Sequence, residues 1–101
     1  MVFIYTTCLD QETAEGICQA IMDRRLAFSV HVTPVDSLHL TAEGFEKRPE
    51  YSILIKTNES KMQDIEDEIT ARSTDPNPFI GVVDIRRLNH DYKERVTHLI
   101  Q

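Results

Sequence analysis

The sequence predicts a single α+β domain spanning residues 1–101, in the order β-α-β-β-α-β with a closing C-terminal helix. Three observations lead there. Apolar, β-branched runs of strand length recur at 2–8, 26–40, 48–57 and 79–85. Apolar residues at helical spacing separate the first run from the second and the third from the fourth. Between the second and third runs stands only a glycine-bearing turn, Ala42-Glu43-Gly44-Phe45, which makes one long hairpin of them.

Each element has its own signal. The first run, Val2 to Cys8, is apolar and rich in β-branched residues, as a buried strand is. Asp10 is placed to cap a helix over 11–25. Ala14, Ile17, Cys18, Ile21 and Met22 form its apolar stripe, with Glu15, Gln19 and Asp23 on other faces. In the second strand Val30, Val32, Leu38 and Leu40 share one parity. Pro34 predicts a bend or bulge there, because proline cannot donate to a ladder. Tyr51, Ile53 and Ile55 share a face of the third strand. Ser60 and Gln63 have capping-box spacing ahead of a second helix bearing Met62, Ile65 and Ile69. Asp75-Pro76-Asn77-Pro78 ends that helical stretch, since neither proline nor its predecessor favours a helix. Residues 79–85 read as a last buried strand. Residues 91–100 read as a closing helix with Tyr92, Val96, Leu99 and Ile100 on its apolar side. Right-handed crossovers turn this order into a ferredoxin-like antiparallel sheet with helices on one face.

The hairpin between the second and third strands is the unusual part. Arms of about 14 residues reach roughly 45 Å, whereas a domain of this size has a radius of gyration of about 13 Å. The hairpin either bends over its own body or projects from it. A projecting hairpin exposes strand edges, and association with further copies covers them.

Composition excludes several classes. The net charge is -6 and the pI about 5.1. Non-specific nucleic-acid binding needs a basic footprint, and Arg24-Arg25 and Arg86-Arg87 are only isolated pairs. Anionic membrane surfaces are disfavoured for the same reason. No apolar run approaches the roughly 20 residues that cross a bilayer. The start, Met1-Val2-Phe3-Ile4, lacks a basic leader region, so the expected location is cytoplasmic. Cys8 and Cys18 form no zinc or CxxC pattern and read as free thiols. The acidic run Asp64, Glu66, Asp67 and Glu68 reads as a solvated helix face. The glycines at 16, 44 and 81 are isolated, so no phosphate loop exists, and no nucleophile motif appears.

The chain resembles the CutA-type divalent-cation tolerance family over nearly its whole length. Thr7 through Asp10 is similar to the family's T-x-P-D turn, with Leu9 at the proline. Arg25-Leu26-Ala27-Phe28-Ser29-Val30-His31-Val32-Thr33-Pro34 resembles its RLAACVNIxP segment. Glu43-Gly44 matches the hairpin tip, Ile55-Lys56-Thr57 the end of the third strand, and Pro78 through Ile85 the PEIiavpI strand. Asp91-Tyr92 stands at the last xxYLxW element. The resemblance implies a non-enzymatic, compact homotrimer held by neighbouring hairpins, related in architecture to PII signalling proteins. It also implies a role in response to metal ions, with a divalent metal such as copper as the possible ligand.

Several family positions are changed. The SxYxWxG element becomes Leu38-His39-Leu40-Thr41-Ala42-Glu43-Gly44, so its Tyr and Trp are Leu40 and Ala42. The family cysteine is Ser29, the HPY motif is Ser73-Thr74-Asp75, and the terminal Trp is Arg95. The candidate metal ligands that remain are Cys8, His31 and His39; the last two share a face only if Pro34 leaves the register intact. By resemblance, Glu43 and Lys56 lie near inter-subunit clefts, and with Tyr92 they are the candidate lining of a ligand site. That site defines the alternative reading, a PII-like regulatory or small-molecule-binding module.

Overall fold

The computed structural model describes residues 1–100. Four strands and three helices follow in order: β1 (Val2–Cys8), α1 (Gln11–Asp23), β2 (Ser29–Thr41), β3 (Gly44–Thr57), α2 (Met62–Arg72), β4 (Ile80–Asp84) and α3 (His90–Val96). A single 3₁₀ turn, Glu59–Lys61, leads into α2. The sheet order is β2-β3-β1-β4, with every neighbouring pair antiparallel. This is the predicted ferredoxin-like α+β arrangement.

Strand alternation fixes the core. Val2, Ile4, Thr6 and Cys8 pair with Thr57, Ile55, Ile53 and Tyr51, so these side chains share one face. Ala14, Ile17 and Ile21 of α1 and Ile65 and Ile69 of α2 pack against that face. Ile4, Ile53, Ile55 and Ile65 have at most 1 % of their surface exposed. At about 25 cal/mol per Å² of apolar area, this isoleucine layer is the main stabilising term of the fold.

The ends of α1 are chemically specified. Asp10 caps its start: Oδ1 accepts from Thr13 N at 2.7 Å and Oδ2 from Thr13 Oγ1 at 2.9 Å. At the other end, Arg25 N donates to Met22 O and Leu26 N to Ile21 O, both at 3.0 Å. That is the Schellman pattern, with Arg25 at the left-handed position, φ 54°. The helix therefore stops at Asp23, short of the expected residue 25.

Other expectations are corrected. Pro34 makes no bulge; the β2–β3 register runs unbroken from Ser29↔Lys56 to Thr41↔Gly44. An edge strand tolerates proline because one side of its backbone bonds to nothing in the sheet. Ser60 does not cap α2. It lies inside the 3₁₀ turn, and the residue at the cap position, Lys61, makes no side-chain cap bond. The last strand is shorter than 79–85 and is not buried. As the other edge of the sheet it leaves Val82 and Val83 about half exposed. The closing helix is regular only over His90–Val96, although Val96 and Ile100 are buried as expected.

β3 outruns β1, whose pairing with it ends at Cys8↔Tyr51. Beyond that point the hairpin pairs only with itself. The molecule is accordingly elongated, 49 × 26 × 20 Å, with a radius of gyration of 14.7 Å.

Candidate functional site

The point where the hairpin leaves the body holds the most closely coupled polar groups. Thr7, Cys8 and Leu9 form one side of a cavity of about 410 Å³. His39, Arg48 and Glu50 come from the hairpin, and the 73–77 loop closes the third side. His39 pairs with Glu46 and Glu50 with Val35, so His39 and Glu50 stand four residues apart in the register, on the helix-free face. Even so, His39 Nε2 lies 2.6 Å from Glu50 Oε1. The imidazole folds back along the hairpin to reach it.

Glu50 has 8 % of its side chain exposed. Burial pushes its carboxyl up, but hydrogen bonds from Ser37, His39 and Thr7, with the charge of His39, outweigh this and hold it below its ordinary range. Burial pushes the Cys8 thiol up, and the nearby Asp10 carboxylate adds to the effect. The thiol donates to Asp10 O at 3.6 Å. Cys18, also buried, is pushed up to about 11. Neither thiol has the electropositive, partly exposed surroundings that activate a nucleophile.

The sequence-predicted site residues divide between places. Cys8 and His39 line the same cavity. His31 shares a strand face with His39, since Pro34 leaves the register intact, but it pairs with Leu54 over the body and is exposed. Lys56 and Tyr92 do come together: Lys56 Nζ lies 6.0 Å from the Tyr92 ring centroid. With Phe3 and Leu88 they line a small cavity of about 210 Å³. Glu43 sits in the hairpin turn, the whole 14-residue length of β3 away. Within one chain these three residues are not one site.

The divalent metal implied by the resemblance does not fit the cavity residues as they stand. His39 Nε2 and the Glu50 carboxylate are committed to each other, and the Cys8 thiol donates to Asp10 O and is pushed up by burial, away from the thiolate. A metal-ligating thiol must be deprotonated. Among the described residues, three ligand atoms converge only at His90, Asp91 and Glu94, all exposed on the short α3. Sequence reasoning missed Glu50. Its position among polar residues of a strand gives no hint of burial, which arises from His39, Thr7 and the 73–77 loop meeting over it.

Comparison with known proteins follows the same outline. A family model described as CutA1 divalent ion tolerance protein matches residues 2–98. A divalent-cation tolerance protein CutA of Archaeoglobus fulgidus is 29% identical over 85 residues, covering 84% of this chain and 83% of its own. The solved structure of the Archaeoglobus fulgidus protein, described as periplasmic, superposes with a TM-score of 0.90 at 25% identity over 100% of both chains. CutA from Xylella fastidiosa gives a TM-score of 0.88 at 25% identity, covering 99% of this chain and 97% of its own.

Proposed function

The chain belongs to the CutA1 divalent ion tolerance family, and from that premise we propose that it is a non-enzymatic homotrimer acting in the response to divalent metal ions. The observation that carries the assembly is the free half of the hairpin. Leu38, Leu40 and Phe45 are 66%, 91% and 71% exposed there. Phe45 lies on the parity that β3 buries at Ile53 and Ile55, and Leu38 and Leu40 stand on the same face of the sheet. The sheet also has two open edges, β2 and β4, at opposite sides. Joining β2 of one copy to β4 of the next is a head-to-tail contact, and such a contact closes into a ring when its rotation allows. One ring covers both edges and the apolar residues beside them.

In this reading the metal response does not depend on a resident ion held by Cys8, His31 and His39. Copper, the metal that the family resemblance implies, is the cation to try first. Two buried free thiols suit the reducing cytoplasm, which belongs to the same proposal; cell fractionation that finds the protein outside the cytoplasm removes that part.

Sedimentation equilibrium at micromolar concentration tests the assembly: three times the chain mass of 11.7 kDa is expected, and a monomer overturns it. Calorimetric titration with Cu²⁺ and Zn²⁺ tests the metal part separately. Weak or absent binding is expected, and saturable micromolar binding that Cys8→Ser abolishes would restore a resident site.

A further inference from the structure

A cavity of about 520 Å³ opens at the end of the sheet away from the hairpin turn, where α3 meets the start of β1 and the end of β3. Its charged lining is Arg86, Arg87 and Lys93, joined by Asn58 and Thr97, and no carboxylate lines it. That is notable in a chain with 17 acidic and only 11 basic residues. Arg24, Lys47, Arg48 and Arg72 each lie within 4.0 Å of a carboxylate, whereas Arg86, Arg87 and Lys93 do not, among the described residues. Three cations thus line one concavity with no carboxylate among its lining residues.

The remaining wall is apolar. Phe28, half-buried, together with Leu88 and Val96, gives a surface against which a ring or chain can be seated. Small-molecule sites combine such walls with a few convergent polar groups. Guanidinium groups match tetrahedral oxyanions by paired, charge-assisted hydrogen bonds. A monocarboxylate carries one negative charge and leaves two of the cations unmatched. A phosphate monoester carries up to two charges and three oxygens for donors arriving from different directions. A polyanion such as nucleic acid is repelled by the rest of the acidic surface.

We propose that this cavity binds a phosphorylated small molecule, its phosphate held by Arg86, Arg87 and Lys93 and its apolar portion seated on Phe28, Leu88 and Val96. All of its lining residues belong to one chain.

The test is calorimetric titration of the full chain with adenosine monophosphate, inorganic phosphate and uncharged adenosine at low salt. Saturable binding of the monophosphate is expected, at least tenfold tighter than inorganic phosphate, with none for adenosine. Arg86→Gln with Arg87→Gln, and separately Lys93→Gln, should each weaken the monophosphate tenfold or more. Arg72→Gln, an exposed cation outside the cavity, should change it less than twofold. Raising salt should weaken binding in the native chain and much less in the double variant. The proposal is overturned if the monophosphate binds no tighter than inorganic phosphate, if no saturation is reached, or if the cavity variants bind within twofold of native while melting like it.

Discussion

The same two strands run through two environments. Where β3 lies beside β1, Ile53 and Ile55 are fully buried under α1 and α2. Past Tyr51, where β1 ends, residues of the same parity are exposed; Phe45 is 71% and, across the hairpin, Leu40 is 91% exposed. Apolar residues recur on that face, interrupted by the Asp36–Lys47 ion pair, although the body that would bury them does not continue. In the body half the β3 arm is thus core for its own chain, and the free half carries large apolar residues with nothing of its own chain to cover them. Solvent exposure of that size disfavours a lone chain and favours a partner.

The largest expected effect probes the body half. Ile53→Ala removes a fully buried side chain and should lower stability by about 2–5 kcal/mol in urea denaturation at fixed protein concentration. A loss near zero would mean the two halves are not different environments.

The junction between the halves comes next. Glu50→Gln weakens hydrogen bonds to a buried charged group, at a cost of about 1.5–3 kcal/mol. The sign with pH is definite. Its folded-state pKa is depressed, so its stabilisation is present in full above the ordinary value of 4.5 and lost as pH falls through the lower, folded one. Melting temperature from pH 6 to pH 3 should fall more steeply in the native chain than in the variant. Parallel curves would remove Glu50 from the account.

These two residues also mark how far sequence reading goes. Ile53 was legible, since period-2 alternation places it on the core face without any tertiary knowledge. The hairpin was legible for the same reason, as was the Asp10 cap, whose bond to Thr13 is local. Glu50 was not, because its burial depends on groups brought from β2, β1 and the 73–77 loop. The exposure of β4 was not legible either: an apolar run looks alike on a central and an edge strand, and only strand order separates them. Pro34 misled for a related reason, since whether it breaks a ladder depends on the strand having one free edge. The basic cavity was invisible as well. Arg86-Arg87 reads as an isolated pair until α3 brings Lys93 beside it.

Two smaller effects sharpen the free half. Gly44 closes the turn at φ 144°, with open space where a side chain would go. Gly44→Val should therefore cost of order 1 kcal/mol through backbone conformation alone. An unchanged melt would show that the turn tolerates a side chain. Leu40→Glu should alter single-chain stability by less than about 0.5 kcal/mol, because the site is exposed, yet it should lower the sedimenting mass. A native mass in that variant would place Leu40 outside the contact.

The central claim is that the free half of the hairpin is covered by another copy of the chain. Amide hydrogen exchange along β2 tests it most directly. In an antiparallel pair only alternate amides of an edge strand bond to its neighbour, and the others point outward. The account predicts that the outward amides in the free half of β2, beside Leu38 and Leu40, are protected as strongly as those bonded to β3, and that Leu40→Glu releases them. Rapid exchange of every second β2 amide in the native protein at micromolar concentration would contradict it.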